Sequence, residues 1–163
     1  MKQIRITAIL GLALLALPLA AAQDANFSGT WRLDVAKSTW GKHPRLAAST
    51  VTIEQHDPAF QYSGTVVFPN SVNSEDRGDK ATFVFNGAMD GKEYPVTGTI
   101  GAGNISLRRV SSRTILSEFK SSDGKVTETA RMTLSPDGKT LIRQVQSRGP
   151  DRDASWTEVY NRE

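Results

Sequence analysis

The chain has 163 residues, with 20 Lys and Arg against 17 Asp and Glu, 13 Gly, 7 Pro and no Cys. The length fits one domain of the usual ~100–200 residues. Without Cys there is no disulfide framework, no thiolate nucleophile and no Cys-based metal site. Nor is there a concentrated basic run of the kind that nucleic-acid binding needs.

At the N-terminus, Lys2 and Arg5 form a small positive region ahead of the apolar run Ile9–Leu17, which Pro18 ends. Ala20, Ala21 and Ala22 follow as a small-residue cleavage site. This pattern predicts a signal peptide over residues 1–22. The run is shorter than the ~20 residues needed to cross a bilayer, so no stable membrane anchor is expected. Subtracting Lys2 and Arg5 from the basic count leaves 18 against 17 acidic residues, and the basic pI of about 9.3 owes much to the leader. The expected product is an exported protein, periplasmic or extracellular, with a single domain over residues 23–163.

From Phe27 onward the periodicity is two, the repeat of a half-buried strand. Alternating runs occupy Thr50–His56, Phe60–Phe68, Ala81–Asn86, Ile105–Val110, Arg113–Lys120, Val126–Leu134, Thr140–Ser147 and Trp156–Arg162. Short turns separate them. Ser122-Asp123-Gly124-Lys125 and Pro136-Asp137-Gly138-Lys139 are strong hairpin signals, because Gly supplies the positive φ of a tight turn. Asp90-Gly91-Lys92 and Gly101-Ala102-Gly103-Asn104 punctuate the chain similarly. A helical piece is expected only near Asp34–Ser38, and longer loops at Gly41–Ala48, Asn70–Asp79 and Gly149–Ala154. Eight to ten strands joined this way make an antiparallel meander. Closure into a barrel removes its exposed edges.

Several polar residues fall on otherwise apolar faces. Glu128 accompanies Val126, Ala130 and Met132; Arg143 accompanies Leu141 and Val145; Glu158 shares a face with Trp156 and Tyr160. A charge on an inner face is costly unless paired, so these three are candidates for one internal polar cluster that orients a ligand. Tyr62, on the face of Phe60, Val66 and Phe68, is a candidate core or cavity-wall residue. The two histidines, His43 and His56, read as surface or loop residues. Glu118 and Glu128 form a possible carboxylate pair across a hairpin. Arg108 and Arg109 point to opposite faces of one strand, which disfavours a phosphate clamp. No catalytic residue, metal site or cofactor is expected, and the chain reads as a non-enzyme.

The segment Phe27-Ser-Gly-Thr-Trp-Arg-Leu-Asp34 resembles the G-x-W first strand of lipocalins and fatty-acid-binding proteins, the calycins. Trp156-Thr-Glu-Val-Tyr-Asn-Arg162 resembles the closing strand of the fatty-acid-binding branch. Asp90–Gly98, with Ser121–Thr140, is similar to small exported bacterial lipocalin-like proteins. The resemblance implies an all-β fold, an antiparallel up-and-down meander closing into an 8–10-stranded calycin-like barrel. It also implies structural roles for Gly29, which gives the chain room to bend, Trp31, which plugs one end, and Arg162, which lies across that Trp as a cation–π partner. In the fatty-acid-binding branch, two Arg and a Tyr hold the ligand carboxylate. Tyr160 matches the Tyr and Arg131 falls near one Arg, while Glu158 stands where the other Arg would be.

The ligand-binding candidates are therefore Tyr62, Glu128, Arg131, Arg143, Glu158 and Tyr160. The expected function is that of a monomeric barrel holding a small hydrophobic or amphipathic molecule. The alternative is a filled barrel that contacts another envelope protein through its outer loops.

Overall fold

The computed structural model describes residues 24–69, 80–150 and 153–163. The expected signal peptide, the Asn70–Asp79 loop and part of the Gly149–Ala154 loop lie outside them. The described residues form ten strands: β1 Gly29–Leu33, β2 Ala48–His56, β3 Ala59–Val67, β4 Lys80–Ala88, β5 Asp90–Thr97, β6 Gly103–Ser111, β7 Thr114–Ser121, β8 Thr127–Leu134, β9 Thr140–Arg148 and β10 Ala154–Arg162. Each pairs antiparallel with its sequence neighbours. β1 closes onto β10 through Trp31 opposite Arg162 and Leu33 opposite Tyr160, so the meander is a closed barrel.

The period-two reading places most of these strands to within about two residues. Besides the short β1, which the G-x-W resemblance marks, β5 is the strand that the alternation does not single out. Its inward side chains are few, and it meets β4 only through Val84 opposite Thr97 and Phe85 opposite Val96. An irregularity between Asp90 and Glu93, with Gly91 at φ +78°, starts it where the sequence reads as a turn. Asp34–Ser38 is a turn, not a helix. The Asp34 side chain accepts the Lys37 N–H, and its carbonyl accepts the Ser38 N–H and hydroxyl. The chain then turns away and Thr39 pairs with Thr157 of β10. The predicted hairpins are built alike. In one, Asp123 accepts from the Ser121 hydroxyl and the Lys125 N–H; in the other, Asp137 accepts from Ser135 and Lys139 in the same way. Gly124 and Gly138 supply φ values of +72° and +70°.

One end of the barrel is filled. Phe27, Trp31 and Phe60 are fully buried there, each adding roughly 1.5–3 kcal/mol by removal of apolar surface from water. The segment ahead of β1 is fastened across this end. The Phe27 N–H donates to the buried Gln55 side chain at 2.8 Å, and the Trp31 indole donates to the Phe27 carbonyl at 2.9 Å. Arg109 donates to the carbonyls of Ala25 and Ser112 and pairs with Asp57. Outside, the Arg162 guanidinium lies 4.3 Å from the Trp31 ring centre and donates to the carbonyls of Gly138 and Ser28. Gly29, Trp31 and Arg162 thus meet at the closed end.

Candidate ligand-binding cavity

The filled end stops short of the barrel's other half. Beyond Leu141 and Tyr160 the interior encloses a cavity of about 330 Å³, reaching from Tyr160 to the end bordered by His43, Leu46, Phe68, Ile100 and Gly101. Its walls are mostly apolar. Val51 and Ile53 come from β2, Tyr62 and Val66 from β3, Phe83 from β4, Ile105 and Leu107 from β6, Phe119 from β7 and Met132 from β8. Tyr62 stacks on Phe85, with ring centres 5.0 Å apart, and burial pushes its hydroxyl well above the ordinary tyrosine range.

One side of the cavity is charged. On β10, alternation aims Trp156, Glu158 and Tyr160 inward in succession. Glu158 is only 4% exposed, yet both oxygens are satisfied. The Trp156 indole donates to Oε1 at 2.6 Å and the Tyr160 hydroxyl to Oε2 at 2.9 Å. Arg143, directly opposite on β9, donates to both oxygens at 3.1 and 3.2 Å. The second arm of the Arg143 guanidinium reaches Glu128 on β8. Between Glu128 and Met132 on that inner face stands Ala130, whose methyl leaves the path across the strand clear.

The electrostatics follow from this pairing. Burial pushes the Glu158 carboxyl up, but the Arg143 charge and the bonds from Trp156, Tyr160 and Arg143 itself outweigh it and hold the group below its ordinary value. Burial acts to lower Arg143, and the two glutamates overcome it, leaving the guanidinium firmly charged. Tyr160 is pushed upward by burial and by the neighbouring Glu158. Its hydroxyl lies 3.4 Å from that of Ser49 on β2.

Tyr62, Glu128, Arg143, Glu158 and Tyr160 therefore converge on one cavity. Arg131 does not. It sits opposite Leu116 on the outer face of the barrel and is exposed, one position out of phase with the inward Ala130 and Met132. The suggested pairing of Glu118 with Glu128 also fails: Glu118 faces out opposite Thr129, whereas Glu128 faces in opposite Phe119. His43, read from sequence as a surface or loop residue, is part of the cavity rim. Its imidazole stacks on Trp156 at 4.0 Å between ring centres, with Trp40 beyond it at 6.1 Å. Burial holds its pKa below the ordinary value, against the pull of Glu158 and Glu128. No strand periodicity covers residues 40–46, and the buried Leu46, inside a run otherwise exposed or half-buried, is the one signal that this loop folds inward.

The sequence matches no protein-family profile and none of the curated proteins. Among solved structures it is similar to the crystal structure of Rv2717c from M. tuberculosis. The two share 15% sequence identity at a TM-score of 0.48, over 84% of this chain and 92% of that one. Rv2717c is a distant structural neighbour. The chain itself is a ten-stranded antiparallel β-barrel, filled at one end and hollow at the other.

Proposed function

We propose that the protein is an exported, lipocalin-like barrel that binds a small hydrophobic or amphipathic molecule in its hollow half. The observation that carries this reading is the cavity itself: about 330 Å³ of space with apolar walls and a single internal cluster of polar groups. Binding sites for small molecules have this composition, and ~300 Å³ is the lower end of their usual size. The G-x-W strand and its Arg partner support the lipocalin-like reading, and the N-terminal leader pattern supports export.

Binding is favoured over catalysis because the buried Glu158 and Arg143 hold each other in their charged forms. Glu158 is held ionised and Arg143 charged, whereas a general acid or base works best with a pKa near the ambient pH. The alternative of a filled barrel acting through its outer loops is the weaker reading, since a cavity of about 330 Å³ remains inside it.

The test is native mass spectrometry of the protein purified from its own host, followed by extraction and identification of any bound molecule. A reproducible one-to-one adduct with an amphipathic molecule is the expected result. A bare mass, unchanged on exposure to a panel of hydrophobic probes, rejects the carrier role.

A further inference from the structure

Among the described residues, the charges inside the barrel do not cancel. Arg143 contributes one positive charge, and Glu158 and Glu128 contribute one negative charge each. No other Lys, Arg, Asp or Glu lines the cavity among the described residues. His43, at the rim, has its pKa lowered by burial and is neutral at pH 7. The remaining polar groups on the wall, Ser117 and the hydroxyls of Tyr62 and Tyr160, are uncharged there.

The two glutamates are not equivalent. Glu158 accepts from Trp156, Tyr160 and Arg143, which uses both of its oxygens. Glu128 accepts from Arg143 through Oε1 alone, and no donor among the described residues approaches Oε2. Its side chain is 21% exposed, on the cavity wall. A carboxylate oxygen with spare acceptor capacity, inside a space with one surplus negative charge, recognises a donor and repels an anion.

From this geometry we infer that the cavity takes an amphiphile whose head group is a cationic or strongly donating nitrogen, such as a primary amine, held by Glu128, and that it discriminates against carboxylates. The inference rests on the binding role proposed above and assigns the chemical class of its ligand. It runs opposite to the carboxylate clamp of fatty-acid carriers, because Glu158 occupies the closing-strand position and itself captures Arg143. Arg143 is then an internal counter-ion, with both of its terminal nitrogens already engaged by glutamates. The size of the space limits the tail. At ~30 Å³ per non-hydrogen atom, similar to water's share of liquid volume, the cavity holds about 11 such atoms.

Decylamine, decan-1-ol and decanoate match that size and differ in their head groups. Their affinities for the protein expressed from the full coding sequence would be measured by calorimetry at pH 7. The expected order is amine over alcohol by about tenfold or more, with decanoate weakest. Glu128→Gln should weaken decylamine binding and collapse its advantage over decan-1-ol to within about threefold. Glu118→Gln, on the outer face, is the matched control and should change neither. Equal binding of all three probes, or decanoate binding best, overturns the head-group assignment and leaves the carrier role standing. So does an amine preference that survives Glu128→Gln in a variant with the parent's melting temperature. Failure of all three probes to bind rejects both the assignment and the carrier role beneath it.

Discussion

Arg162 and Trp31 face each other across the seam that closes the barrel, with the guanidinium carbon 4.3 Å from the ring centre. The same Arg side chain occupies the space where a side chain on Gly29 would begin. A Cβ there would lie 2.8 Å from Arg162 Nη1, on a backbone with φ +137°. Gly, Trp and Arg are thus one interlocked unit, and each restricts what the other two positions can carry.

Gly29→Ala should destabilise the barrel by about 1–3 kcal/mol through backbone strain alone, and further if Arg162 is forced off the ring. Gly138→Ala provides the calibration. It has a φ of +70°, but a Cβ there meets nothing within 4 Å, so its cost should be only ~1–2 kcal/mol from the left-handed backbone. Urea midpoints of the two variants would check the order. A Gly138 variant losing as much as the Gly29 variant would remove the role given to Arg162.

Phe27 lies ahead of the first strand, yet it is fully buried against Phe60 and the Arg109 side chain. Phe27→Ala should cost about 3–5 kcal/mol, the usual range for a buried Phe. A loss under 1 kcal/mol in chemical denaturation would show that the segment 24–28 is not a structural plug.

Arg143→Met should cost about 3 kcal/mol at pH 7, because it leaves Glu158 ionised and buried without its counter-ion. The pH dependence has a definite sign. In the parent, the Glu158 pKa is held below its unfolded value, so its contribution is present above the ordinary glutamate range and lost as pH falls through the folded pKa. In the variant, burial is opposed only by the bonds from Trp156 and Tyr160 and raises that pKa, so stability falls as pH rises past the ordinary glutamate range. The gap between parent and variant should therefore widen from pH 4 to pH 7. A gap independent of pH would contradict the pairing.

His43 acts in the same direction over a higher pH window. Burial holds its folded pKa below the ordinary histidine value, so the unfolded chain takes up its proton first and stability declines as pH falls through that range. His43→Gln should flatten the stability profile where pH falls below the ordinary histidine range. It should also loosen the Trp156 contact, visible as a shift in tryptophan emission. An unchanged slope would place the imidazole in water and not against Trp156.

Much of the barrel is readable from the chain because a strand's two faces see different solvents. Val126–Leu134 shows this well: its alternation predicts both the strand and which residues point inward, and Glu128, Arg143 and Glu158 are found together for that reason. Where alternation is thin, the reading fails. β5 carries only Tyr94 and Val96 inward, and a glycine at its start resembles a turn. Arg131 was misplaced for another reason. A motif alignment one residue out of phase exchanges inside for outside, since the side-chain period is two.

By itself, the sequence determined what depends on local chemistry. It set the strands through their alternation and the hairpins through Asp-Gly, and it set the phase of each inner face. Only the tertiary structure decided what depends on distance across the barrel. Arg143 pairs with both glutamates because closure brings β8, β9 and β10 side by side. His43 reaches Trp156 because its loop folds back over β10, and the interior is hollow at one end because the segment before β1 fills only the other. No residue's own neighbours in the chain carry that information, since a cavity is the space that many strands jointly leave unfilled.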